Sequence, residues 1–158
     1  MEFQSRAVSS LVELHEREMR SFLKVWDRFM AAGAPMPEAH GDNSYESRET
    51  LGAHVLMAAR GYLTRIGEWV ARPVTDVDAS QDAHDIAGRM PAFTDGVLAA
   101  YRRHLTTVTT EELEAQTHKT RWGELYSVEM LLEHAVVHPM RHRIQLERIL
   151  EVRQTAKA

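Results

Sequence analysis

Apolar residues recur with helical period in four long segments of this chain, and nowhere do they alternate for the length of a β-strand. The first segment runs from about Val8 to Ala32. With Leu11 at zero and about 100° per residue, Leu14, Phe22, Val25, Trp26 and Phe29 fall on one face. Gly33 ends it, with Pro35 and Pro37 beyond as stop signals. The second runs from about Ser47 to Ala71, stopped by Arg72-Pro73, and its face holds Leu51, Val55, Ala58, Tyr62, Ile66 and Trp69. The third runs from about Ala83 to Thr107, with Ile86, Met90, Phe93, Val97, Tyr101 and Leu105 in phase; Pro91 and two glycines weaken it. The fourth begins after Ser127, an N-cap followed by Glu129 in the first turn, and continues to about Val152. The stretch from Gly33 to Glu46 is long and rich in Pro, Gly and Asn, suited to crossing one end of a bundle. The stretch from Thr109 to Tyr126 accommodates a helical turn at Glu111–Ala115 and an extended piece around Thr120–Tyr126. The expected fold is an all-α four-helix bundle, a single domain over residues 1–158, with a long crossover between helices 1 and 2.

Composition removes several function classes. Hydrophobic residues make up 44% and charged residues 27%, which suits a folded chain rather than a disordered one. A formal net charge of −4 gives no general attraction to nucleic acid or acidic membrane, and Arg102-Arg103 is too short a basic cluster to change that. No apolar run reaches the length of a membrane span, and residues 1–30 carry Glu2, Arg6, Glu13, Glu16, Arg17 and Glu18 instead of a signal-peptide core. A cytoplasmic address is the expectation. The absence of cysteine removes disulfides, thiolate metal sites and cysteine nucleophiles together.

Chemistry concentrates on the fourth segment, which reads His134-Ala-Val-Val-His138-Pro-Met-Arg-His142. Four residues of helix rise about 6 Å and eight about 12 Å. A metal–nitrogen bond spans only about 2.0–2.1 Å, so His134 and His142 cannot share one ion on a straight helix. With Leu131 at zero, His138 lies about 20° to one side of the apolar centre, His142 about 20° to the other, and His134 about 60° away. Two imidazoles in the middle of a core face leave polar nitrogens to satisfy, and a divalent ion satisfies one on each. Pro139 between them removes a helical hydrogen bond and is expected to kink or loosen the helix. His134 reads as a rim residue or one that orients a ligand. The other segments offer His15, His54 and His104 near their inner faces, and periodicity favours His54 only slightly.

Other polar residues stand out against their faces. Glu18 sits about 20° from the centre of the first face, where it is a candidate general base or partner to a ligand histidine. The plainer reading turns that end of the helix toward solvent or a dimer contact. His104 reads as a capping or core histidine. Arg65 is a candidate to bind an anionic group, although snorkelling explains it as well. Trp26 and Trp69 are most simply core. A ferritin-like di-iron site needs Glu-x-x-His motifs and a zincin needs His-Glu-x-x-His; neither occurs.

The segment Val136-Val-His-Pro-Met-Arg-His-Arg-Ile-Gln145 resembles the signature of the DinB-like superfamily: His, three residues, a second His, then Arg-Gly-Gln. Here Ile144 replaces the glycine. Ala53-His-Val-Leu-Met-Ala-Ala-Arg-Gly-Tyr-Leu63 resembles the family's second helix, and Trp122-Gly123 is similar to the stretch before its last helix. The resemblance covers most of the chain. It implies an up-down-down-up bundle and a metal site of His54, His138 and His142 with an open position. Zinc or nickel is the implied ion. Relatives that handle low-molecular-weight thiols, as S-transferases or a thiol-dependent isomerase, imply a metal-dependent enzyme in which a thiolate attacks an electrophilic carbon. Arg143 and Gln145 join Glu18 and His134 as candidates for catalytic or orienting roles. The expected partners are a small-molecule substrate and a second copy of the chain. The competing expectation is a non-catalytic, metal-stabilised bundle acting as a dimeric stress-response or binding protein.

Overall fold

The computed structural model describes residues 2–114 and 117–155. It is mostly helical, with one very small sheet. Helix α1 spans Arg6–Ala32 and α2 spans Arg48–Trp69, with a 3₁₀ turn at Asn43–Tyr45 between them. Then come α3 (Ala83–Gly88), α4 (Met90–Leu105) and α5 (Thr110–Glu114). The antiparallel strands β1 (His118–Lys119) and β2 (Leu125–Tyr126) precede α6 (Val128–Thr155).

Local chemistry explains most of the boundaries. Gly33 closes α1 in the left-handed region, at φ 56°, and its N–H returns to the carbonyls of Met30 and Phe29. Ser47 opens α2 with a reciprocal cap: its hydroxyl accepts from the Thr50 N–H, and the Thr50 hydroxyl accepts from the Ser47 N–H. Such a cap is worth about 1 kcal/mol. The second helix ends at Trp69, two residues before the expected Ala71, because Ala71 turns to φ 55°. Ser127 caps α6 as expected, its hydroxyl accepting from the Met130 N–H.

The third segment is two helices, not one. Asp82 caps α3 through the N–H groups of His84 and Asp85, and the chain breaks at Arg89 (φ −139°, ψ 31°). Pro91 lies in the first turn of α4, where its missing N–H has no helical partner to lose. The turn expected at Glu111–Ala115 is α5; Ala115 itself lies outside the described residues. The extended piece expected at 120–126 is a hairpin tip. Thr120 and Glu124 bond across it, and Gly123 takes φ 96°. Helix α6 continues through Pro139, so the loosening expected there does not interrupt it.

Helix α1 packs against α6 and α4, and α2 packs against α6, α4 and α3. The buried stripe of α1 is Val8, Val12, His15, Met19, Phe22, Trp26 and Phe29, with Glu18 and Val25 beside it. The stripe therefore runs through His15 rather than Leu11 and Leu14, which are only half buried. Phe22, Phe29, Leu56, Leu63, Phe93 and Tyr101 are among the largest fully buried side chains. Each such apolar side chain contributes about 1.5–3 kcal/mol relative to exposure. The buried Tyr101 hydroxyl donates to the Ala59 carbonyl at 2.8 Å, so its polar end is satisfied inside the core. No described helix is long and apolar enough to cross a membrane.

Candidate metal centre

Helices α2 and α6 bring together His54, His138 and His142. One ring nitrogen from each can be chosen so that all three lie within 4.8 Å of one another. Nε2 of His54 and Nε2 of His138 are 3.1 Å apart. Two ligands on a tetrahedral ion with bonds of about 2.05 Å sit about 3.3 Å apart, so this pair already has ligand spacing. The ring centroids of His138 and His142 are 4.8 Å apart, neighbours by their four-residue spacing on one helix.

His138 is 6% exposed and His142 is 1% exposed. His138 Nδ1 and both nitrogens of His142 are buried without a hydrogen-bond partner among the described residues. Buried polar atoms are normally paired, so the unpartnered His142 nitrogens beside the close Nε2 pair of His54 and His138 fit a bound cation. Burial, reinforced by the neighbouring imidazoles, holds His138 down to about 2. Burial, with His54 next, lowers His142 to about 4. Burial also lowers His54. All three rings are therefore neutral near pH 7, the form that ligates a metal.

The remaining expected residues take distinct places. His134 stays out of the histidine group and sits among aromatic rings, stacked on Trp122 at 5.3 Å and edge-on to Tyr62 at 5.2 Å. Glu18 is 6% exposed, so the expected turn toward solvent does not occur. Its carboxylate accepts from Arg143 Nε at 3.2 Å and also meets Arg17, so it bonds guanidinium groups rather than an imidazole. Arg143 also reaches Glu147 at 2.8 Å, which makes it a strut between α6 and α1. Gln145 Oε1 accepts from the Tyr45 hydroxyl at 3.2 Å, and the Tyr45 ring lies 6.0 Å from that of His142. The crossover is thereby tied down beside the histidines. His15 is fully buried in the core, stacked on Tyr101 at 4.2 Å. His104 bonds Asp76 near the surface and is neither a cap nor a core residue.

A cavity of about 340 Å³ adjoins the group, with His54, Tyr62, Trp69, Thr120 and Trp122 in its wall. Trp69 is thus a half-buried wall residue stacked on His118 at 4.4 Å, rather than core. The hairpin tip that carries Thr120 and Trp122 was visible in the sequence only as an extended piece. Pairing of two-residue strands leaves no alternation to read. Tyr62 is pushed up to about 12, mainly by burial, so its hydroxyl keeps its proton near neutral pH. Family models, curated proteins and solved structures offer no match to this chain.

Proposed function

We propose that this protein binds one divalent ion through His54, His138 and His142, and that it is a metal-dependent enzyme acting on a low-molecular-weight thiol. The observation that carries the reading is the convergence of three imidazoles from two helices, with ring nitrogens within 4.8 Å of one another and those of His142 buried without a partner among the described residues. The closed ring of packing among α1, α6, α2 and α4 supports a four-helix bundle, and the resemblance of the His138–Gln145 segment supports the DinB-like plan. Zinc or nickel suits three neutral imidazoles.

Bound there, the ion would supply positive charge that favours the thiolate form of a thiol at the remaining position. The chain's own residues do the rest. His138 and His142 are fixed by their helix, and His54 sits on the cavity wall, so a substrate in the cavity lies next to the ligand set. Tyr62 presents a neutral hydroxyl donor in the same wall. Gln145 holds Tyr45 and with it the crossover, which shields the His142 side.

The test is elemental analysis with an alanine series. Wild-type protein should carry about one ion per chain, as single-ion three-histidine sites do. His54→Ala, His138→Ala and His142→Ala should each lose it, while His134→Ala keeps it. Metal-dependent consumption of a thiol with an electrophile then supports the enzyme. Loss of metal from the His134 variant alone would defeat the ligand assignment. If metal removal only lowers the melting temperature and a broad thiol and electrophile panel is inert, the non-catalytic bundle takes its place.

A further inference from the structure

The charge of the cavity next to His54 is one-sided. Arg60, Arg65 and Arg121 line it, and no Asp or Glu does so among the described residues. Arg121, on the exposed hairpin tip, makes no ion pair among the described residues. Arg65 is exposed and shares its charge with Glu68 at 2.7 Å.

Arg60 is the more informative of the three. It is 8% exposed, and its Nη1 donates to the carbonyls of Asp78 and Ser80 at 2.9 and 2.6 Å. It also lies 5.9 Å from the Phe93 ring. These contacts hold the guanidinium in place, and no carboxylate pairs with it among the described residues. A buried cation without a counter-charge is costly, and an anion entering from the cavity offsets that cost. Guanidinium groups also match carboxylate oxygens in a two-pronged geometry. The rest of the wall includes three flat rings, those of the half-buried Trp69, the 42% exposed Trp122 and Tyr62, beside the polar Gln81 and Thr120.

We propose that this cavity binds an aromatic carboxylate. The arginines take the carboxylate, and the tryptophans and Tyr62 flank the ring. The ligand's other end lies along His54. The inference names the substrate class for the site proposed above and rests on that reading for the reactive edge. The anion preference itself depends only on the arginines.

The test is calorimetric titration of the full-length protein as purified, with metal content measured on the same sample. The probes are benzoate and its neutral counterpart benzamide. Benzoate should bind at least tenfold more tightly. The double variant Arg65→Gln/Arg121→Gln changes two exposed residues and should weaken benzoate binding at least threefold; adding Arg60→Gln should bring benzoate within about threefold of benzamide, with benzamide unchanged throughout. Replacing Arg121→Gln by Arg121→Lys in the multiple variant should restore part of the preference. Equal binding of the two probes, or a preference that survives the triple substitution, overturns the proposal. So does a preference lost in His138→Ala but intact in the arginine variant, because the ion would then be the anion's partner. Wild-type protein that carries no ion yet prefers benzoate sustains this inference and removes the metal reading.

Discussion

Arg143 belongs to the motif that suggested a metal site, yet its guanidinium works at a distance from the imidazoles. It bonds Glu18 across to α1 and Glu147 along α6. Glu18→Ala should therefore cost stability, by about 1–2 kcal/mol, because Glu147 still compensates part of the Arg143 charge. Denaturant unfolding measures that loss, and metal content should stay at the wild-type level. A variant that kept its stability but lost metal would return Glu18 to the ligand set. The sequence showed Glu18 as an outlier on an apolar face but not its partner, which lies 125 residues away. The same limit applied to His54. Periodicity places a residue on a face and is silent about which face of another helix it meets. His138 and His142 were legible because they share one helix, where spacing alone sets their separation.

At the scale of elements, the four long helical segments were legible because apolar period, caps and stop signals agreed. The failures were local. Pro91 was read as a weakness within one helix, and it instead begins a new one after the break at Arg89. Arg89 bonds Asp85 and Asp78, which braces that break from outside. The hairpin before α6 was too short to leave a pattern. The end of α2 depends on Gly67 for close approach of the returning chain. A Cβ there would meet the Arg72 carbonyl oxygen and Val74 Cγ2, each at 2.8 Å. Backbone cannot move aside as a flexible side chain does, so Gly67→Ala should destabilise by about 1–3 kcal/mol. At about 2–4 °C per kcal/mol for a chain of this size, a thermal melt should show a clear drop. An unchanged melting temperature would mean that the 70–74 turn is free to shift.

Across the whole molecule, the buried neutral histidines set the response to acid. His15 is lowered to about 3, by burial above all, and neither of its ring nitrogens is hydrogen-bonded among the described residues. Its folded pKa lies below the unfolded value of about 6.5, so the unfolded chain binds the extra proton. The stability that follows is fully present above about pH 6.5 and is lost as pH falls toward 3. The slope approaches about 1.4 kcal/mol per pH unit for such a group. His15→Phe keeps a ring against Tyr101 and removes the titrating group. Its unfolding free energy should fall less between pH 7 and pH 5 than that of the wild type. Parallel curves for the two proteins would show that His15 takes no part in the acid response.

His54 and His138 stand 84 residues apart in the chain and 3.1 Å apart in space. Neither helix alone offers that pair, so a ligand gripping both reads whether the two ends of the chain are correctly closed upon each other. Its occupancy and the folded fraction become a single linked quantity. At a free concentration one hundred times its dissociation constant, such a ligand adds about 2.7 kcal/mol to the native state. With the proposed divalent ion as that ligand, cation supply would control the folded fraction, independently of any reaction.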